Sequence, residues 1–349
     1  MSGATAMPVA RTVARSRRGF LAAGGALGLG ALLAACGDDD GGTGTAAGKG
    51  GGAWSFKDDR GKTAKSDATP KRIVAYVGAA AALHDLGIEC DAIFGPTKGK
   101  NGKPEMQAGR LDVDKLTNLG NTYGQFNVEK YAALEPDLLV SSMMVPPEVW
   151  YLPPDSAKKI LSLAPSVAIQ TGKTTLVKSI QRYAALAESL GADPKAKKVT
   201  DAKARFEAAS ESLRKAAKSN RGVRILAISA SPDLLYAGFA PDFYDLRHFA
   251  DLGVQFVTPG KRDKGGFWES TSWENADRYD ADLILVDQRT GNLQPDQLEK
   301  SKPTWRDLPA VKAGQVIPWM NEAPPSHAAY APLIENLAKS LQEAKKVRA

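Results

Sequence analysis

The sequence predicts an α/β protein of two similar lobes with mostly parallel sheets, joined by a single long backbone helix, with a ligand cleft between the lobes. Three observations carry this reading. Strand patterns alternate with helix patterns from Trp54 onward, as they do where crossover helices cover a parallel sheet. The same order of patterns occurs twice. A helix with one apolar face separates the two copies.

In the first copy, residues 72–76 form a short apolar run entering Gly78, a helical stretch follows to Gly87, and residues 90–95 read as a second strand. In the second, residues 224–228 are a strand, a helix over 245–252 ends at Gly253, and residues 254–257 follow. Both helices close on Asp-Leu-Gly and a β-branched residue, Asp85 to Ile88 and Asp251 to Val254. Glycine there suits a left-handed helix cap. Further on, NVEKYAALEPDLLV (127–140) aligns with SWENADRYDADLILV (272–286). Asn127 and Ser272 stand as N-caps, and Glu129 and Glu274 each lie eight residues before an aspartate, Asp137 or Asp282. Between the copies, residues 174–190 carry Leu176, Val177, Ile180, Tyr183, Ala184, Leu186 and Ala187 at helical spacing. That is a helix of about 17 residues and roughly 25 Å, stopping at Gly191. A second, polar helix runs from Pro194 to about Ser219, its charges on a solvated face. The division expected is a first lobe over 54–172, a connecting helix over 173–193 and a second lobe over 194–349.

A chain of 349 residues with 43% hydrophobic and 24% charged composition suits two globular domains plus extras. Its net charge of +7 includes Arg11, Arg15, Arg17 and Arg18 ahead of Cys36, and without those four it is +3. No basic and aromatic stripe accompanies it, so no nucleic-acid partner is expected. Arg17 and Arg18 precede an apolar run rich in Gly and Ala, the pattern of a twin-arginine export signal over 1–36. Its end, Leu33-Ala34-Ala35-Cys36-Gly37, resembles the bacterial lipoprotein box, which would make Cys36 the acylated first residue of the mature chain. Residues 37–53 have almost no apolar side chains and read as a flexible tether. Cys90 is then the remaining cysteine, expected to be buried and inert, and no later segment is long and apolar enough to cross a bilayer.

Several chemistries are disfavoured. Gly172-Lys173-Thr174 ends like a phosphate-binding loop, but the upstream glycine it requires is Val167. Gly78 and the alanines after it lack dinucleotide-loop spacing, and no hydrolase nucleophile elbow occurs. His84, His248 and His327 match no zinc spacing. No cofactor or direct metal site is expected, and binding is preferred to catalysis. Aromatic and polar residues do cluster where strands end: Tyr76, Tyr123 with Phe126, Trp150 with Tyr151, Tyr236 with Phe239, Trp268, Arg289, and Trp319 with Asn321. Ligand crevices of open α/β sheets lie beyond those strand ends. Trp268 reads as a loop residue facing ligand, and Trp273 as a core anchor.

From Trp54 to Ala344 the chain resembles the substrate-binding lipoproteins of ABC importers for iron-siderophores, haem and cobalamin. The resemblance rests on Phe56-Lys-Asp-Asp-Arg-Gly61 before Pro70-Lys-Arg-Ile-Val74, on Asn118-Leu-Gly-Asn121 before Asn127-Val-Glu129 and Leu134-Glu-Pro-Asp-Leu-Leu139, and on 305–314 before Val316 and Ile317. It implies two lobes on one backbone helix, and docking of Glu129 and Glu274 onto arginines of a membrane permease. A first-turn carboxylate at a helix N-terminus is also favourable in its own right, by about 0.3–1 kcal/mol. Trp268 matches a cleft tryptophan of hydroxamate-siderophore binders, whereas Tyr123 stands where they carry an arginine. Catecholate complexes would call for several cations, and Arg289 is the one at the mouth. The expected cargo is therefore a neutral or weakly charged ferric chelate, with iron present only inside it, taken up by a monomeric, lipid-anchored protein on the outer face of the cytoplasmic membrane. Haem or cobalamin is the alternative cargo. Bare-metal capture and an extracellular lipoprotein enzyme on the same scaffold are the other readings.

Overall fold

The structure, a computed structural model, describes residues 52–99 and 101–347. The export signal with Arg17 and Arg18, the lipid site Cys36 and nearly all of the tether lie outside the described residues.

The first lobe opens with an antiparallel pair, β1 (Trp54–Lys57) and β2 (Thr63–Ser66). Its main sheet is parallel throughout. It contains β3 (Ile73–Tyr76), β4 (Ala92–Phe94), β5 (Thr117–Asn118), β6 (Leu138–Met143) and β7 (Ser166–Gln170) in the order β5-β4-β3-β6-β7. Every residue of β3 and β6 is buried, as expected of parallel strands covered on both faces. Helix α1 (Val77–Leu86) starts directly from β3. Its alanine run has high helix propensity, and its burial on nearly every side explains the absence of an amphipathic pattern. It ends where expected, at Gly87 with φ of 98°. Helix α2 (Val128–Ala133) is capped by Asn127, whose side-chain oxygen accepts from the Lys130 amide at 2.8 Å. Helix α3 (Pro154–Leu163) begins on a proline, which is pre-organised for a first turn.

Helix α4 (Leu176–Ser189) is the predicted connector. Its first turns put Leu176 and Ile180 into the core of the second lobe, and its last turns put Tyr183, Leu186 and Ala187 into that of the first. Tyr183 is wholly buried and shares a hydrogen bond with Ser142 at 2.9 Å. A helix anchored in both cores leaves little freedom for large lobe motion.

In the second lobe, α5 (Lys197–Ser219) leads into β8 (Arg224–Ala230) and β9 (Leu234–Gly238). Then come α6 (Tyr244–Asp251), β10 (Gln255–Phe256), β11 (Trp268–Ser272) and β12 (Leu283–Asp287). Three short helices follow, α7 (Pro295–Ser301), α8 (Pro303–Asp307) and α9 (Pro309–Lys312). β13 (Val316–Trp319) and α10 (His327–Glu343) complete the chain, with α10 packed along α5. The sheet runs β11-β9-β8-β12-β13, with β10 on β8. It is mixed: β8, β12, β13 and β10 pair in parallel, while β9 and β11 are antiparallel.

The internal echo is built from one repeated device. In the first lobe, the Asp137 carboxylate accepts from the Arg72 amide at 2.8 Å while its own amide donates to the Arg72 carbonyl. In the second, Asp282 does the same with Arg224, at 2.9 Å for the side-chain bond. Each aspartate thus sets the register where an inner strand meets its neighbour. The copies differ around the glutamates. Residues 273–278 form a 3₁₀ turn kinked at Asn275, not a counterpart of α2, and Ser272 makes no side-chain cap to the backbone. Its hydroxyl instead accepts from the Asn275 amide group.

Candidate functional site

Several of the residues singled out from the sequence gather where parallel strands finish, whereas Tyr236 and Trp268 lie on the antiparallel pair β9 and β11. β3 ends at Tyr76 and β6 ends shortly before Trp150 and Tyr151; β12 ends at Asp287, two residues before Arg289, and β13 at Trp319, just before Asn321 and Glu322. Side chains held at the ends of rigid strands converge on the seam between the lobes, the position of the crevice in open α/β sheets.

The wall of the first lobe is a chain of rings. Tyr76 lies 5.5 Å from Tyr151, Tyr151 5.4 Å from Tyr123, and Tyr123 6.2 Å from Trp150, centroid to centroid. Tyr76 is buried and Tyr123 is 52% exposed, so the row runs from floor to rim. Trp150 packs against the cores of both lobes. The second lobe has its own group centred on Phe243, with Phe267, Trp268 and Trp319 at 5.2, 4.8 and 5.0 Å. Tyr236 meets the Trp268 ring edge at 6.5 Å. Phe239 is buried, with the Arg262 guanidinium over its ring. Trp319 is buried too, and its indole N–H donates to Asp245 at 2.8 Å. Trp268 occupies the first position of β11, opposite Gly238, rather than a loop. It is half-buried. Trp273 is core as expected, donating to the Ser231 carbonyl at 3.0 Å.

Arg289 does not stand free. Its Nε and Nη2 donate to Asp287, the latter at 2.7 Å, and its Nη1 donates to Glu322 Oε1 at 2.5 Å. Asp287 is completely buried, and Asn321 Nδ2 also donates to it at 3.2 Å. Glu322 was not singled out from the sequence, yet it ties the lobes together. Its Oε2 accepts from Tyr76 OH at 2.9 Å and from Trp150 Nε1 at 3.3 Å, both in the first lobe. Burial and the neighbouring Glu322 carboxylate push the Tyr76 phenol well up, so it remains a donor. Tyr151 and Glu322 both have φ of 67°, in the left-handed region that is uncommon for side chains of this size. Such geometry persists where surrounding contacts over-determine it, as at ligand sites. Glu322 is signalled in sequence only by its place three residues past a strand end.

Beside this floor lies an open cleft of about 720 Å³. Glu105 and Met106 line it from the first lobe, and Arg289, Thr290, Gln294 and Met320 from the second. Its size suits a small-molecule ligand. A Thr290–Glu105 hydrogen bond crosses between the lobes.

Glu129 and Glu274 are exposed at the starts of α2 and the 273–278 turn, and neither joins an ion pair among the described residues. The Glu274 carboxylate is lowered, first by a backbone hydrogen bond and then by the Ser272 hydroxyl. No group of three or more His, Cys, Asp or Glu side chains placed to hold a metal occurs among the described residues. Cys90 is buried, and its thiol is pushed up by that burial. No helix of the described residues is long and apolar enough to cross a membrane.

Residues 73–323 match the family model described as periplasmic binding protein. The Fe(3+)-citrate-binding protein YfmC of Bacillus subtilis is 26% identical over 261 residues, covering 74% of this chain and 76% of that protein. The iron(3+)-hydroxamate-binding protein FhuD of the same organism is 27% identical over 294 residues, 82% of this chain and 85% of FhuD. The crystal structure of DesE, a ferric-siderophore receptor protein from Streptomyces coelicolor, superposes with a TM-score of 0.81 at 51% identity, covering 84% of this chain and 99% of DesE.

Proposed function

Because this chain belongs to the periplasmic binding protein family, we propose that it captures a ferric siderophore of hydroxamate or mixed type outside the cell and hands it to an ABC permease. The observation that carries the proposal is the aromatic row from Tyr76 to Tyr123 at the seam of two lobes, linked through Glu322 and Arg289 to an open cleft of small-molecule size. The similarity to iron-chelate binders, above all to DesE, supports this cargo. Iron enters only inside the chelate, and no catalytic role is assigned. The contacting residues proposed are Tyr76, Tyr123, Trp150, Tyr151, Tyr236, Phe239, Trp268, Arg289 and Trp319, with Arg289 held in place by Asp287 and Glu322. Glu129 and Glu274, one per lobe and in no ion pair among the described residues, are the proposed contacts with permease arginines. Acylation at Cys36, after export directed by Arg17 and Arg18, would hold the monomer on the outer face of the membrane. Mass spectrometry of molecules retained by the purified protein tests the assignment. A ferric siderophore is expected, and a retained haem or corrinoid would replace it.

A further inference from the structure

A second cavity lies inside the second lobe, walled by β12 and β13 on one side and by α6 and α10 on the other. It measures about 100 Å³, and Met320 is the one residue it shares with the 720 Å³ cleft. Phe249, Leu285, Trp319 and Leu337 form a buried apolar wall, and the exposed Pro318 and Asn336 mark its mouth. Two buried polar side chains also line it, Asp245 and Tyr330. The Asp245 oxygens accept from the Leu246 amide and from Trp319 Nε1, both at 2.8 Å. Burial raises this carboxyl to about 6, as in a water-poor site. The Tyr330 oxygen accepts from no donor among the described residues. Tyr244, whose ring lies 5.8 Å from that of Tyr330, gives its hydroxyl proton to the Ala323 carbonyl at 2.6 Å. A buried acceptor without a donor is unfavourable until one is supplied.

The walls decide what such a cavity can hold. A dry apolar cavity of about 150 Å³ takes benzene, and this one, somewhat smaller but open at its mouth, has room for a single ring. Phe249, Trp319 and Tyr330 offer aromatic faces and edges to pack against it. A bare hydrocarbon ring would leave the Tyr330 oxygen unpaired, whereas a hydroxyl on the ring would donate to it. A charged ligand would lose its hydration among these apolar side chains. We propose that the cavity is a second ligand site, one that takes a small neutral phenol with its ring against Phe249 and Trp319 and its hydroxyl donating to Tyr330. The site is distinct from the cleft and does not depend on the cargo carried there. Trp319 reports on it, because this residue lines the cavity, donates to Asp245 and packs on its other side against Phe243 and Trp268.

The test titrates the purified protein with phenol and follows the Trp319 indole N–H by proton–nitrogen correlation NMR, the resonance being assigned with Trp319→Phe. A saturable shift is expected, with a dissociation constant of about a millimolar or below. Toluene and anisole keep the ring and lack the donor, so each should bind about five-fold more weakly, the scale of one hydrogen bond. In Tyr330→Phe the preference for phenol should vanish. Leu333→Trp, at a half-buried position on the lining, should fill the cavity and abolish the shift with all three compounds. No saturable shift with phenol would overturn the proposal, as would equal affinities of phenol and anisole in the wild-type protein. A phenol shift that persists in Leu333→Trp would place the ligand elsewhere and overturn it too. If Tyr330→Phe does not fold, the wild-type series still decides.

Discussion

Tyr76→Phe tests one of the bonds that join the two lobes at the candidate site. The substitution keeps the ring, with its neighbours Phe94 at 6.1 Å and Tyr151 at 5.5 Å, and removes only the hydroxyl that donates to Glu322 at 2.9 Å. Because the site is buried and the acceptor is a carboxylate, the bond belongs to the charge-assisted class, worth about 1.5–3 kcal/mol. Glu322 Oε2 would then keep only Trp150 Nε1, at 3.3 Å. Stability from urea unfolding of the wild-type protein, Tyr76→Phe, Glu322→Gln and the double variant gives a cycle that isolates the pair. A coupling energy of about 1.5–3 kcal/mol is expected. Additivity within about 0.5 kcal/mol would refute the bond, since that is how independent sites behave.

Glu129→Lys and Glu274→Lys change exposed side chains, so each should leave stability within about 0.5 kcal/mol. Chelate affinity should also be unchanged, while cellular iron uptake through the cognate permease falls sharply; undiminished uptake in the double reversal would remove the docking assignment. Two buried groups should give opposed pH slopes. Burial lowers His248 to about 4, so acid charges the unfolded chain first and stability is lost as pH falls from about 6.5 to 4. Burial raises Asp245 to about 6, so its contribution is lost as pH rises from about 4 to 6. Each shift corresponds to about 3 kcal/mol. Relative to the wild-type protein, His248→Gln should therefore gain stability toward pH 4, and Asp245→Asn should gain it above pH 6. Chemical denaturation from pH 4 to 7 reads both, and difference curves of the opposite sign would contradict the burial argument.

What the sequence disclosed follows from what leaves a periodic or positional mark. The left-handed caps at Gly87 and Gly253, with φ of 98° and 101°, were legible because few other residues tolerate that conformation. The connecting helix was legible because its apolar residues recur every three or four positions, although nothing in that spacing says that Ile180 and Tyr183 serve different cores. Asp137 and Asp282 were visible as an echo, while their shared task at Arg72 and Arg224 needed the strand register. β11 shows the opposite case. Glu269 and Thr271 are buried and Ser270 is exposed, a strand alternation that turn-like residues and a nearby cap obscured. Glu269 is held inside by the Gly260 amide at 2.8 Å and Tyr279 OH at 2.9 Å, a satisfaction that no local pattern announces. The network of Asp287, Arg289 and Glu322 was invisible for a related reason. It joins Asp287 and Arg289 at the end of β12 to Glu322 beyond the end of β13, and a loop carboxylate looks the same in sequence whether it is solvated or bound to three donors.

Capture of a ferric chelate at the seam between the lobes is the central claim. Trp150 and Trp268 are both half-buried and packed among other rings, so an iron chelate seated there should quench intrinsic fluorescence. Titration with an iron-loaded trihydroxamate should give saturable quenching at one site per chain, reduced in Trp268→Phe and absent with the iron-free ligand. No saturable quenching by any ferric chelate, whether hydroxamate, catecholate or citrate, would contradict it.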